Sequence, residues 1–104
     1  MIQPTILVVD DEPAIHRFLK PVLEAEGYRV IQASMASEAL QSATENPPDA
    51  IVLDLGLPDL DGKDVIRRLR KVSQVPIVVL SARDRETEKI QALDLGADDY
   101  VEKP

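Results

Sequence analysis

Short apolar runs alternate along the chain with segments of helical periodicity. Thr5-Ile6-Leu7-Val8-Val9 is a continuous β-branched and apolar run that ends at Asp10-Asp11. Continuous hydrophobicity, as opposed to alternation, predicts a strand buried on both faces, as in a parallel sheet. Pro13 suits the first turn of a helix, with Asp11 as its N-cap. Ile15, Phe18, Leu19, Val22 and Leu23 recur at helical spacing as a core stripe, and Gly27 ends the helix. Pro21 lies inside it and predicts a bend near residues 17–21 without a break, because the stripe stays in phase beyond it. Residues 28–33 alternate partly and read as a second strand, at an edge. Ser34 is the candidate cap of a short helix with Ala36, Ala39, Leu40 and Ala43 inward, stopped by Asn46-Pro47-Pro48.

Residues 49–54 form the third strand, and Gly56, Pro58 and Gly62 the loop after it. A helix over 63–72 buries Val65, Ile66 and Leu69. Asp59 and Asp61 shape the loop and cap that helix at Lys63. Pro76-Ile77-Val78-Val79-Leu80 is the fourth strand, ending at Ser81-Ala82. Residues 84–95 form a helix with a thin inward face of Ile90, Leu93 and some alanine, capped by Gly96. Residues 98–102 are a short fifth strand, and Lys103-Pro104 follows. Four βα units and a final β with short links predict an α/β fold, a doubly wound parallel sheet with right-handed crossovers.

The bulk numbers narrow the chemistry. At 104 residues the chain is one domain. It has no cysteine, which excludes disulfides, a thiolate zinc site and cysteine catalysis, and permits a reducing compartment. Residues 1–5 do not read as a signal peptide, and no apolar run approaches a membrane span. The net charge of −7, from 19 acids against 12 bases, repels nucleic-acid backbones. Part of that acidity sits in two clusters, Asp10-Asp11-Glu12 and residues 54–61, and both follow strands. Clustered carboxylates need a cation, a proton or water between them.

In an open α/β sheet, sites form at the carboxyl ends of the strands. The residues there are Asp10, Asp11, Asp54, Ser81 and Lys103: three acids, a hydroxyl and an amine from nearly the whole sequence. An oxygen-only donor set without His or Cys favours Mg²⁺ or Mn²⁺. A carboxylate beside such an ion and an ammonium can attack phosphorus and form an acyl phosphate. Lys103 can compensate the phosphoryl charge, and Ser81 can donate to one of its oxygens.

With these residues in place the chain resembles the response-regulator receiver family. The motifs that carry the likeness are Val9-Asp10-Asp11-Glu12, Leu53-Asp54-Leu55-Gly56-Leu57-Pro58-Asp59-Leu60-Asp61-Gly62, Leu80-Ser81-Ala82, Gly96-Ala97-Asp98-Asp99-Tyr100 and Lys103-Pro104. They stand in the family's order over essentially the whole chain. Their wording looks like the subfamily with a winged-helix DNA-binding output domain (OmpR/PhoB-like), and KdpE-type regulators of potassium uptake are the nearest likeness. The resemblance implies a CheY-like, flavodoxin-like sheet of order 2-1-3-4-5. It implies Asp54 as phosphoacceptor and Mg²⁺ held by Asp11, Asp54 and the backbone carbonyl of Gly56, with Asp10 holding a metal-bound water. It implies Ser81 and Lys103 on the phosphoryl group, Tyr100 as an aromatic switch coupled to Ser81, and a cis Lys103–Pro104 peptide. It implies a cytoplasmic signalling switch, not an enzyme, that takes phosphate from a sensor histidine kinase and assists its own dephosphorylation.

Departures from the family's pattern set further expectations. The family's last helix and its output domain are missing from residues 1–104, so the sequence reads as a truncated receiver with one sheet face partly uncovered. An apolar patch there predicts a homodimer, exchange of elements or marginal stability. Lys89, Asp94, Asp98 and Asp99 occupy the regions that supply ion pairs to the family's dimer, and DNA would be met only through the output domain. His16 lies off the apolar stripe and reads as solvated. Two alternatives compete: an aspartate-nucleophile phosphatase of the haloacid dehalogenase type, and a degenerate receiver used only for protein contacts. The first wants an acid where Gly56 stands. The second would lack Asp54, Asp11 or Lys103, and all are present.

Overall fold

A computed structural model describes residues 3–82 and 86–104. The elements run β1 (Thr5–Val9), α1 (Pro13–Ala25), β2 (Arg29–Ala33), α2 (Ala36–Glu45), β3 (Ala50–Asp54), α3 (Gly62–Val72), β4 (Ile77–Ser81), α4 (Glu86–Leu95) and β5 (Asp99–Glu102). The strands form one parallel sheet of order β2-β1-β3-β4-β5. Right-handed crossovers then put α1 on one face and α2, α3 and α4 on the other. The fold class and strand order expected from the sequence are those observed. The expected start of the fourth helix at Asp84 lies outside the described residues.

Burial follows the strand order. The central strands β1, β3 and β4 are almost wholly buried, whereas β2 and β5, at the edges, are mostly exposed or half-buried. Under α2 and α3 the core is dense: Leu7, Val9, Ile51, Leu53, Ile77 and Val79 meet Ala36, Ala39, Val65, Ile66 and Leu69. At about 25 cal/mol per Å² of apolar area removed from water, each large aliphatic side chain there contributes roughly 1.5–3 kcal/mol.

The apolar stripes of α1 and α4 are less covered than expected. Phe18 and Val22 are 51% and 48% exposed, and only Ile15 of that stripe is buried. Periodicity identifies an apolar face but not what covers it, and among the described residues α1 is the one helix on its side of the sheet. In α4 Ala92 is buried and Leu95 packs against the core, while Ile90 and Leu93 are exposed to solvent. Helix α1 runs unbroken through Pro21. It ends in a Schellman motif: Gly27 takes φ +94°, its amide donates to Glu24, and the Tyr28 amide donates to Leu23.

Two helix caps differ from expectation. The N-cap of α1 is Glu12, not Asp11, because the Asp10 carboxylate takes the Glu12 amide at 2.8 Å and draws the turn one residue on. Ser34 does not cap α2; its amide and hydroxyl donate to Glu38. The α2 amides of Ala36 and Ser37 donate instead to the Asp59 carboxylate, at 2.8 and 3.0 Å. Those two bonds hold the Asp59 pKa below the usual carboxylate value. Asp61 caps α3 as expected, accepting from Lys63 at 2.8 Å.

Candidate functional site

The register of the strands assembles the site. Val9 pairs with Leu53, and one step further along the strands Asp10 stands beside Asp54. Asp54 pairs with Leu80, which brings Ser81 to the same edge, and Ser81 pairs with Glu102, which brings Lys103 there. The Lys103 amide donates to the Ser81 carbonyl at 2.9 Å and fixes the direction of the last residues. No peptide among the described residues is cis, so Lys103–Pro104 is trans, contrary to expectation. The trans form is the lower in energy for an X-Pro bond by about 0.5–1 kcal/mol, and the Ser81 bond delivers the lysine without isomerisation.

Asp11, Glu12, Asp54, Gly56, Ser81 and Lys103 line one cleft of about 270 Å³ at this edge, with Asp10 buried beneath it. The Lys103 Nζ lies 2.6 Å from Glu12 Oε1, 3.1 Å from Asp10 Oδ2 and 3.4 Å from Asp54 Oδ1. Partial burial opposes the lysine's charge, but its hydrogen bond to Glu12, its ion pair with Asp10 and the charge of Asp54 outweigh that and raise its pKa. Asp54 is pushed above the usual carboxylate range, first by burial and then by the charge of Asp10. The Gly56 amide, donating to its Oδ1 at 3.2 Å, and Lys103 pull the other way.

Three features fit a hard divalent cation. Asp10 Oδ2 is buried and makes no hydrogen bond; Lys103 is near it but outside bonding geometry. One carboxylate oxygen from each of Asp10, Asp11 and Glu12 lies within 4.8 Å of the others. The cleft offers oxygen donors and no His or Cys, which matches Mg²⁺ in preference to zinc. Asp11, Asp54 and Gly56 line the space such an ion would take.

Most of the residues singled out in the sequence therefore meet at one edge. Ser81 is buried with its residue lining the cleft. Tyr100 packs at the margin of the core with the Lys89 ammonium 5.7 Å from its ring centroid, one strand away from the acids. Asp98 is occupied within the chain, where it accepts from Arg70 and from the Ile77 amide. His16 is not solvated: it is half-buried, and its Nε2 donates to the Asp10 carbonyl at 2.7 Å, since a carbonyl can only accept.

Glu12 and Arg70 carry contacts that sequence reasoning had not assigned. Glu12 belongs to the first acidic cluster, and its bond to Lys103 spans 91 positions. Arg70 binds the carbonyls of Gly96 and Val75 and the Asp98 carboxylate, joining the α3–β4 and α4–β5 loops. No short-range pattern marks either contact.

Comparison with known proteins agrees with this geometry. The family described as response regulator receiver domain matches residues 6–104. The chain is 54% identical over 99 residues to the KDP operon transcriptional regulatory protein KdpE of Escherichia coli K12, covering 95% of this chain and 44% of that protein. It is 51% identical over 100 residues to the alkaline phosphatase synthesis transcriptional regulatory protein PhoP of Bacillus subtilis 168, covering 95% and 42%. A CheY-like response regulator receiver domain protein from Methanospirillum hungatei JF-1 superposes with a TM-score of 0.92 at 30% identity, over 99% of this chain and 83% of that one. The chain thus spans under half the length of the curated relatives it matches.

Proposed function

The chain belongs to the response-regulator receiver family, and on that premise we propose that it is a phosphorylatable signalling switch with Asp54 as the acceptor. The observation that carries this reading is the placement of a buried Asp54 with Lys103 at 3.4 Å, beside an Asp10 oxygen that lacks a hydrogen-bond partner. A carboxylate oxygen of Asp54 attacks phosphorus of a phosphohistidine on a sensor kinase. The P–O bond forms as the P–N bond breaks, and its electron pair and a proton end on the imidazole. The product is an acyl phosphate.

Asp11, Asp54 and the Gly56 carbonyl would hold Mg²⁺, with Asp10 behind them. When bound, the ion neutralises charge on the phosphoryl oxygens. Lys103 supplies a second positive charge, and Ser81 donates a hydrogen bond to a third oxygen. Movement of Ser81 toward the phosphoryl group frees space for Tyr100 to turn inward, and this couples the site to the α4–β5 surface. The site assists transfer and later hydrolysis; the product is a state of the protein, not a released compound. The same edge lacks an acid at Gly56, which disfavours a phosphatase.

Relatives of more than twice this length are transcriptional regulators, and we extend to this chain an output through a DNA-binding domain in a cytoplasmic protein. No described helix is long and apolar enough to cross a membrane. The exposed Phe18 and Val22 support self-association of residues 1–104, as a homodimer or by exchange of elements, which light scattering would read directly. Beryllofluoride with Mg²⁺, followed by amide NMR, tests the acceptor assignment. Shifts centred on Asp54, Ser81 and Lys103 are expected, and a spectrum unchanged at saturating ligand would overturn it.

A further inference from the structure

Glu12 occupies the N-cap of α1, where a short polar side chain ordinarily accepts from the helix amides. Its carboxylate makes no such bond. It reaches instead across the cleft to Lys103, at 2.6 Å, while Asp10 and Asp54 lie at 3.1 and 3.4 Å from the same nitrogen. Of the three carboxylates facing the ammonium, the most exposed one holds it most tightly: the Glu12 side chain is 55% exposed and that of Asp54 only 7%. Charge-assisted hydrogen bonds are short, about 2.7–2.9 Å, and by that measure the lysine is bonded to Glu12 and only near Asp54.

We propose that Glu12 is a latch on Lys103: it stores the ammonium beside Asp54 without letting it close on the acceptor oxygen, and it must release the amine for Lys103 to reach an arriving phosphoryl group. This inference rests on the reading of Asp54 as acceptor. An ammonium bonded fully to Asp54 would compete with phosphorus for Oδ1. One held by Glu12 leaves that oxygen, which accepts only from the Gly56 amide, with a lone pair open to attack and keeps the positive charge within a short swing. The contact to Glu12 is therefore an interaction of the resting state that the phosphoryl-bound state gives up, and Glu12 is a positioning residue that acts through Lys103.

Two substitutions separate the latch from a plain charge effect. Glu12→Gln removes the charge. Glu12→Asp keeps it but shortens the arm by one methylene, to the length that suits an N-cap, so the carboxylate turns to the α1 amides and away from Lys103. Calorimetric titration of each folded protein with beryllofluoride and Mg²⁺ should give a Kd about two- to fivefold below wild type for both variants, the range expected from losing one partly exposed ion pair. Lysine Nζ NMR of the metal-free proteins should show a slowly exchanging Lys103 signal in wild type, absent from Lys103→Arg, and weakened in both Glu12 variants. Tighter binding in Glu12→Gln alone, or wild-type binding in both, overturns the latch while leaving Asp54 as acceptor. A wild type that shows the Nζ signal but binds no beryllofluoride overturns the acceptor reading, and the latch with it.

Discussion

Gly62→Ala should damage both the fold and the site, although the alanine takes a residue type that helices prefer. Gly62 opens α3 and its amide donates to the Leu55 carbonyl at 2.9 Å. A Cβ at this position would stand 2.5 Å from Leu55 Cα, 2.9 Å from the Asp54 carbonyl oxygen and 2.9 Å from Leu55 Cδ2. Two of those three atoms are backbone, so no rotamer change relieves the contact. Overpacking of this kind costs about 1–3 kcal/mol, while replacing glycine by alanine inside a helix returns at most about 1 kcal/mol. The net loss is on the order of 1–2 kcal/mol, or roughly 5–15 °C in Tm for a domain of this size. The strand end must also move, and with it the Asp54 carboxylate, so beryllofluoride affinity should fall in the folded variant at low temperature. Thermal melts by circular dichroism read the first effect and calorimetry the second. A variant that melts at or above wild type, with unchanged beryllofluoride affinity, would refute the steric argument.

Other perturbations have signs fixed by the same contacts. Arg70→Ala removes the donor of the Gly96 and Val75 carbonyls and should cost on the order of 2 kcal/mol in chemical denaturation. Arg70→Lys should recover only part of that, because one ammonium cannot span the three acceptors of a guanidinium. Asp54 is raised above the usual carboxylate value of 3.8, chiefly by burial. Its contribution to stability is therefore full below that value and lost as pH rises through the folded pKa. Asp54→Asn should accordingly melt above wild type at neutral pH without Mg²⁺, with the gap closing in acid; a wild type that melts higher at pH 7 refutes this. Asp59 is lowered by the Ala36 and Ser37 amides, so its contribution is present above 3.8 and lost as pH falls through the folded pKa. Asp59→Ala should lower Tm most at neutral pH and least in acid, and amide exchange should speed up first in the opening turn of α2. Uniform exchange along α2 would argue against the cap.

The strands were legible because their hydrophobicity is local and continuous. Ile6 to Val9 and Ile77 to Leu80 announce buried strands without reference to anything else in the chain. The acidic edge was legible for a related reason: Asp10, Asp54 and Ser81 each end such a run, and a parallel sheet brings run ends together. What stayed hidden depends on partners distant in sequence. Asp59 caps a helix 22–23 residues before it, Arg70 binds residues 26–28 positions later, and Glu12 meets Lys103 across most of the chain. The stripe of α1 is legible as apolar, and Phe18 and Val22 at its outer side are exposed, as an uncovered face on that side of the sheet implies. Spacing shows which residues share a face, and only the neighbouring elements decide how much water that face meets.

Transfer of a phosphoryl group to Asp54 can be tested covalently. Wild-type protein is treated with acetyl phosphate and Mg²⁺, reduced with borohydride so that an aspartyl phosphate becomes homoserine, digested and sequenced by mass spectrometry. Homoserine is expected at position 54, with none in samples that lack the phosphodonor and less in Lys103→Ala. Homoserine at another aspartate, or none anywhere in folded protein at saturating phosphodonor, would contradict Asp54 as the acceptor.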